Sequence, residues 1–524
     1  MKIYNTLSRT KEEITPISGD VIRIYSCGLT VYDYAHIGNL RKYIFDDVLK
    51  RTLEYFDYKV KHIQNVTDVG HLTSDEDEGE DKIEKSATRE GKTAFEIAKF
   101  YEKAFVEDLK KLNIELPDEM PKATENIQEQ IELVKKLEEK GFTYKTSDGI
   151  YFNTSKLKDY GKLARLDIEN LKEGSRVEKN LEKKNPTDFA LWKLSPDGER
   201  MGTVPSPGTV PEAPSGSKQF TSSGARRQME WPSPWGVGFP GWHLECSAMA
   251  TKFLGQPFEI HTGGVDHIAV HHTNEIAQSE AACDKPLAKY WVHSEHLLED
   301  GRKMAKSDGH FIRLQDLEEK GYSPLDYRYL CLTASYRSKL DFSWKSFDAA
   351  RSARRKINDA YNLVCHPESP PRHPELVEGS VANATSNPSV IPSDAQGTVP
   401  MGSVPEAESR DLSSFNKALA DDLDTPRALA FIFKNLSRLS SAEFEKIDEI
   451  FAILEKIETK KEDGIIIEGY APREVIKLAL ERQKAREQKN FKKSDELRDK
   501  ISKLGFNIED TQDGPKISSM SSRP

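Results

Sequence analysis

The first 115 residues alternate apolar strand-like runs with amphipathic helical ones, and that order limits the possible folds more than any other feature of the chain. Val21–Tyr25 and Lys59–Gln64 read as strands, Leu40–Phe56 and Ala94–Leu112 as helices. Strands joined by helical crossovers pair in parallel, so the pattern predicts a parallel α/β sheet. Pro117 and Pro121 interrupt it before a charged helix, Asn126–Lys140, that Gly141 ends. Phe142–Leu166, with Asp148-Gly149 between Tyr-rich flanks, reads as a small hairpin-bearing insertion. Strand signals at Phe258–Thr262 and Tyr290–His293 would complete the sheet, and from Ser346 onward helical periodicity dominates.

Residues 199–228 and 366–410 do not fit a compact fold. They are rich in Pro, Gly, Ser and Val and share near-copies, Gly202-Thr-Val-Pro205 and Gly208-Thr-Val-Pro-Glu-Ala-Pro-Ser215 against Gly397-Thr-Val-Pro400 and Gly402-Ser-Val-Pro-Glu-Ala-Glu-Ser409. Repeats this short, without periodicity, cannot stack into a core, so both read as disordered inserted loops. The cost of closing a longer loop grows only logarithmically, and such insertions are tolerable. Deleting 199–228 is therefore expected to leave activity nearly intact.

The length of 524 residues allows two to four domains, and 37% hydrophobic with 31% charged residues describes a soluble globular protein. The amino terminus carries no secretory h-region, and no apolar run nears the roughly 18–20 residues needed to span a bilayer. Five scattered cysteines argue against a disulfide framework and for a reducing cytoplasm. The net charge of −10 does not advertise nucleic-acid binding. Arg473–Lys503, however, holds 11 Lys/Arg against 6 Asp/Glu, a local +5 that suits either a solvated helical face or RNA phosphates.

Three constellations carry chemistry. Ala35-His36-Ile37-Gly38-Asn39 opens a helix after a strand, where unpaired amides and the dipole suit a phosphate. Lys303-Met304-Ala305-Lys306-Ser307 sets two lysines in a Gly-bounded loop, able to follow charge building on a leaving pyrophosphate. Eight of the thirteen histidines fall between His243 and His310. There His271 and Glu275, four apart, would share one face of a helix and could grip a metal, with Cys246 and Cys27 as further ligands. A Cys that ends a buried strand serves equally as a small core residue, and a His near Glu as a simple hydrogen-bonded pair. Gly263-Gly264-Val265-Asp266 follows a strand where such sheets bind ligands, though it also reads as a plain turn. The acidic stretch after His71, through Asp81, reads as a solvated loop.

The first two stretches resemble the paired signature sequences of class I aminoacyl-tRNA synthetases, with Asn39 where His is frequent and Ala305 where Ser is frequent. Thr30–Asn39, Pro240–Met249, His271–Gln278, Lys303–Ser307, Tyr336–Ser343 and Ala420–Pro426 together resemble the cysteinyl-tRNA synthetase family, over nearly the whole chain except the repeat-bearing loops. The resemblance implies a Rossmann-like parallel-sheet α/β catalytic domain with an insertion, then an α-helical bundle and a small C-terminal module. The corresponding boundaries are 1–115 and 229–300 for the catalytic halves, 116–228 for the insertion, 301–350 for the lysine loop and stem-contact segment, 351–462 for the bundle and 463–524 for an anticodon-side module.

It further implies a zinc on Cys27, Cys246, His271 and Glu275, which Thr273, replacing a frequent Glu between the ligands, should not disturb. Zinc prefers a soft thiolate, so selection against serine would occur at binding, without an editing domain. ATP with Mg²⁺ would meet His36, Gly38, Asn39, Gly264, Asp266, Lys303, Lys306 and Ser307, with His36, Asn39, Lys303 and Lys306 catalytic. Thr67 and Trp242 would line the amino-acid pocket. The implied partners are L-cysteine, ATP and tRNA(Cys), with no membrane and a monomer as the expected form. The rivals are the related cysteine ligase of mycothiol synthesis, which needs no anticodon module, and a non-catalytic RNA-binding paralogue, which needs no phosphate-handling lysines.

Overall fold

The computed structural model describes residues 1–70, 81–166, 182–195, 227–299, 301–303, 311–365, 412–455, 459–462, 464–468, 471–511 and 514–519. The chain divides into two compact units, Met1–Arg313 with Tyr336–Asp341, and Leu314–Ser335 with Phe342–Pro524.

The first unit begins with an antiparallel pair, β1 (Lys2–Asn5) and β2 (Thr10–Glu13). Then come β3 (Val21–Ser26), α1 (Ile37–Tyr55), β4 (Lys59–Gln64), α2 (Lys82–Glu90) and α3 (Ala94–Lys111). After the insertion follow α5 (Trp242–Leu254), β10 (Phe258–Gly264), α6 (Asp266–Ala269), α7 (His271–Cys283) and β11 (Ala288–Ser294). The sheet order is β11-β10-β3-β4, with every pairing parallel and Tyr290, Ile260, Ile24 and His62 in one row. The parallel α/β core expected from the alternation is thus present. Its β-branched strands are buried beneath the crossover helices, and Tyr25, Ile63, Phe258 and Trp291 join one continuous apolar cluster with α5, α7 and the insertion's helix at Ile127–Glu139.

The insertion carries more sheet than its sequence announced. Its helix α4 (Ile127–Glu139) is followed by Gly141 at φ 75°, and the hairpin is β5 (Thr143–Lys145) and β6 (Gly149–Phe152). Three further strands, β7 (Phe189–Leu194), β8 (Trp231–Ser233) and β9 (Gly236–Pro240), extend it to a five-stranded sheet ordered β5-β6-β7-β9-β8. These strands are short and come from pieces on either side of the repeats, so no local pattern links them.

The second repeat-bearing segment, 366–410, and most of the first lie outside the described residues. The exit of the first corrects the sequence reading: Arg227 and Gln228 are packed. The Arg227 guanidinium pairs with Asp81, donates to the Gly70 carbonyl, and stacks 3.5 Å over the Phe239 ring. Gln228 Oε1 accepts from Ala94 N at the start of α3 (2.9 Å), and its own amide donates to Glu84 Oε1 (2.6 Å). Asp81 is likewise no solvated residue. Its side chain is only 7% exposed, and the carboxylate caps α2 by accepting from Ile83 N and Glu84 N. Residues 71–80 lie outside the described residues.

The first unit also contains β12 (Leu297–Glu299) and β13 (Arg302–Lys303). The short β14 (Leu340–Phe342) joins their sheet, ordered β13-β12-β14. The second unit is largely helical, as expected, with α8 (Leu314–Glu319), α9 (Pro324–Leu332) and α10 (Trp344–Cys365). Further on lie α11 (Ser413–Ala420), α12 (Thr425–Asn435) and α13 (Ser441–Phe451). Pro426 sits in the first turn of α12, and the cap is Asp424, whose carboxylate accepts from Arg427 N. The buried Arg354 pairs with Asp326 (2.7 Å) and donates to the Ile453 carbonyl past the end of α13.

The terminal module adds strands that the helical periodicity did not signal. Strands β15 (Thr459–Glu462) and β16 (Ile465–Glu468) precede α14 (Arg473–Glu487) and α15 (Phe491–Lys503), which β17 (Phe506–Thr511) and β18 (Gly514–Ser519) follow. The strands form one sheet, β15-β16-β18-β17, whose Ile467, Ile508 and Ile517 pack with Val475 and Ala479. Two of the basic residues are spent internally: Arg482 grips Asp510 in a two-pronged pair (2.8 and 2.9 Å) and Arg486 reaches it at 3.3 Å.

The anchoring of Arg227 replaces the expectation for deleting 199–228. Removing 199–226 should leave the thermal midpoint within a few degrees. Extending the deletion through 228 strands the buried Asp81 carboxylate, a loss of about 3–5 kcal/mol. Calorimetry of the two deletions, side by side, measures the difference.

Candidate active site and metal centre

The parallel sheet brings together residues remote in sequence. Cys27 lies just beyond β3, where its amide still donates to the Thr262 carbonyl of β10 (3.2 Å). Helix α5 enters β10 and carries Cys246; helix α7 leaves it and carries His271 and Glu275 on one face. Cys27, Cys246, His271 and Glu275 are all buried and each offers one ligand atom, all within 4.8 Å of one another. Cys27 Sγ stands 4.0 Å from Cys246 Sγ and 3.8 Å from Glu275 Oε1, and His271 Nε2 lies 2.9 Å from Glu275 Oε1. The thiols are not bridged.

A second group shares Cys27 and Glu275 and adds His261 and His272. His261 Nε2 meets the other Glu275 oxygen at 2.9 Å, and His272 Nε2 meets Cys27 Sγ at 3.2 Å. Behind them His272 Nδ1 reaches His293 Nε2 (2.9 Å), and His293 Nδ1 reaches Thr6 Oγ1 (2.7 Å). His243 Nδ1 lies 3.0 Å from His271 Nδ1. Hydrogen bonds to the second atoms of primary ligands orient metal ligands, and Glu275 and His271 both have them. The crowding of histidines between His243 and His310 signalled this layer; no spacing rule identified its members.

The charge state follows from burial and neighbours. Burial works to raise the Cys27 thiol, but the hydrogen bond from Cys246, with those from His267 and His271, outweighs it and holds Cys27 well below the usual thiol range. By donating to Cys27, and by burial, Cys246 is pushed well above it. Burial opposes protonation of His271, yet the Glu275 carboxylate prevails and raises the ring to about 10. Burial keeps His272 neutral. The cluster therefore holds one thiolate against one thiol, and exchangeable protons that a cation could displace.

The proposed amino-acid residues flank the cluster. Trp242, first in α5, has its ring centroid 4.3 Å from that of His271. The buried Thr67 accepts a hydrogen bond from Asn65 Nδ2 (2.9 Å). Asn65 escaped the sequence reading: its Oδ1 accepts from Gly28 N at 2.7 Å and from Cys246 Sγ at 3.7 Å.

At the helix start expected to meet phosphate, α1 begins as expected but its amides are not all unpaired. His36 is the cap, its Nδ1 accepting from Asn39 N (3.1 Å) while Asn39 Oδ1 accepts from His36 N (3.3 Å). Ile37 N donates to the Ile312 carbonyl (2.8 Å). Gly38 permits this closeness, since a Cβ there would fall 2.9 Å from His36 Nδ1. Gly264 ends β10, and a Cβ there would meet nothing within 4 Å. Asp266 opens α6 and pairs with His296 Nε2 at 3.0 Å. The Lys303 backbone pairs with Leu298 in the β12–β13 hairpin; its side chain, Lys306 and Ser307 lie outside the description.

The model of the tRNA synthetases class I (C) catalytic domain matches residues 13–209 and 220–352. The parallel sheet, its insertion and the buried cluster are thus parts of a class I tRNA synthetase. The chain is 42% identical over 521 residues to a cysteine–tRNA ligase of Treponema denticola, covering 97% of this chain and 98% of that one. It is 41% identical over 522 residues to cysteine–tRNA ligase 1 of Burkholderia lata, covering 99% and 97%. This chain belongs to the cysteine–tRNA ligase family. A solved structure, the Mycobacterium tuberculosis methionyl-tRNA synthetase in complex with methionyl-adenylate, aligns with TM-score 0.47 at 13% identity, covering 83% of this chain and 82% of that one.

Next to Thr67, Asp68 accepts from Thr124 N (2.9 Å) and Thr124 Oγ1 (2.6 Å). Burial pushes it up to about 6 despite those bonds. A carboxyl whose folded value exceeds its unfolded one favours folding when protonated. Its penalty is absent below about pH 4, grows through the window up to 6, and is complete above it. Relative to Asp68→Asn, the parent should lose on the order of 3 kcal/mol of stability across that window. Denaturant melts at pH 4 and pH 7 measure it.

Proposed function

We infer that this chain charges tRNA(Cys) with L-cysteine in two ATP-dependent steps. The cysteine carboxylate attacks the α-phosphate of ATP, forming cysteinyl-adenylate and releasing pyrophosphate. The acyl group then passes to the 3′-terminal adenosine of the tRNA. The observation that carries the cysteine assignment is the convergence of two sulfurs, an imidazole and a carboxylate, all buried, within 4.8 Å.

That donor set fits zinc. A tetrahedral ion with bonds of about 2.0–2.3 Å has ligand–ligand edges of roughly 3.3–3.8 Å, and the sulfur–sulfur separation of 4.0 Å needs little adjustment. Zinc when bound would supply a soft Lewis acid that prefers a thiolate, a preference an apolar pocket worth about 1–3 kcal/mol could not supply. Cys27, Cys246, His271 and Glu275 would hold the ion; His261 and His243 would orient two of them. Trp242 and Thr67 would bound the amino acid. His36, Gly38 and Asn39 would meet phosphate and ribose, Gly264 and Asp266 the adenosine. Lys303, Lys306 and Ser307 would balance charge on the departing pyrophosphate, alongside Mg²⁺ on ATP. Neither step calls for a protein nucleophile, so positioning and charge stabilisation suffice.

The basic helices α14 and α15 would contact tRNA, with Arg482 and Arg486 left out because Asp510 holds them. A cytoplasmic setting accords with this role. Among the described residues no helix is long and apolar enough to cross a membrane. The mycothiol-type ligase is disfavoured because that reaction needs no such C-terminal module.

Cysteine-dependent ATP–pyrophosphate exchange, followed by charging assays with cysteine and serine, tests the activity; zinc-loaded, folded protein without exchange refutes it. Cys246→Ser should lower zinc content and cysteine activation together. Full zinc with normal activation in that variant removes Cys246 from the ligand set.

A further inference from the structure

Lys42 takes no part in the chemistry above, yet it is buried on α1, within reach of the metal ligands. Its ammonium donates to the Cys27 carbonyl at 2.7 Å and pairs with Asp46, one turn along, at 2.7 Å. The other polar atom of that peptide is also taken: the Gly28 amide donates to Asn65 Oδ1. Side chains therefore grip both polar atoms of the Cys27–Gly28 peptide where the chain leaves the sheet ladder. No residue but glycine fits at 28, since an added Cβ would lie 1.5 Å from the Asn65 carbonyl oxygen. Asn65 Oδ1 also stands 3.7 Å from Cys246 Sγ, so Asn65 lies between this peptide plane and the second cysteine. Beneath it Ser26 Oγ joins His62 Nε2 (2.8 Å) and Thr262 Oγ1 (2.9 Å), completing a buried polar floor.

A buried lysine–aspartate pair is weak support for folding, because two apolar residues in its place are often as stable. The carbonyl contact gives Lys42 another use. We propose that Lys42 is a positioning residue of the metal centre, fixing the backbone from which the Cys27 thiolate projects and setting a positive charge behind a ligand set of two thiolates and one carboxylate. This inference rests on the zinc reading.

The experiment compares the parent, Lys42→Met, Lys42→Arg and the double variant Lys42→Met/Asp46→Leu. Readouts are the thermal midpoint, zinc affinity by competition with a fluorescent chelator, and KM for cysteine and for ATP in exchange. The single Met variant strands Asp46 and should melt early. The double variant should regain the parent midpoint yet bind zinc at least about tenfold more weakly, the range for lost outer-shell contacts. Its KM for cysteine should rise while that for ATP stays put. Lys42→Arg, which retains a cationic donor, should keep zinc within about threefold; this arm decides the matter if the double variant does not fold. Parent-like zinc affinity and KM in the double variant, or a tenfold loss in folded Lys42→Arg, overturns the role of Lys42 alone. A parent chain that binds no zinc, indistinguishable from Cys246→Ser, overturns the zinc reading and this inference with it.

Discussion

Strand β10 hydrogen-bonds in parallel to β3 on one side and to β11 on the other, and the site depends on that pairing. Parallel neighbours end at the same edge of a sheet. The end of β3 therefore delivers Cys27 to the place where α5 begins and α7 departs. Cys27 and Cys246 are 219 positions apart in the chain and their sulfurs 4.0 Å apart in space. Without the β3–β10 ladder, the cluster would have no common frame.

Two thiolates and a carboxylate in an apolar interior would repel one another if all were ionised, and the surroundings solve this by sharing protons. Cys27 carries the negative charge while Cys246 holds a proton, and Glu275 keeps His271 protonated. The histidines behind them turn this into a directional arrangement: His261 takes the carboxylate oxygen that does not face His271. A cation entering here exchanges protons for coordinate bonds without rebuilding the backbone.

Much of this was legible from the residues. Periodicity located the strands and helices of the sheet because each buried run is long enough to reveal its period. The four-residue spacing of His271 and Glu275 fixed a shared helical face. The motif at His36 marked a helix start, though not that His36 and Asn39 would bond each other. Other parts were hidden for physical reasons. Strands β7, β8 and β9 are three to six residues long and are completed by partners across the repeats, so no local pattern announced the five-stranded sheet. The terminal sheet is hidden in the same way: β15 and β16 are four residues each, and β16 finds its parallel partner, β18, only beyond two helices. Asn65 and Lys42 looked like ordinary polar residues, because their importance lies in backbone atoms they hold far along the chain.

Arg227 also bears on how this protein tolerates change. At position 227 a single guanidinium ties Gly70, Asp81 and Phe239 together. The repeat-bearing sequence upstream of it could be lengthened, shortened or exchanged, or a reporter grafted there, provided that latch is kept.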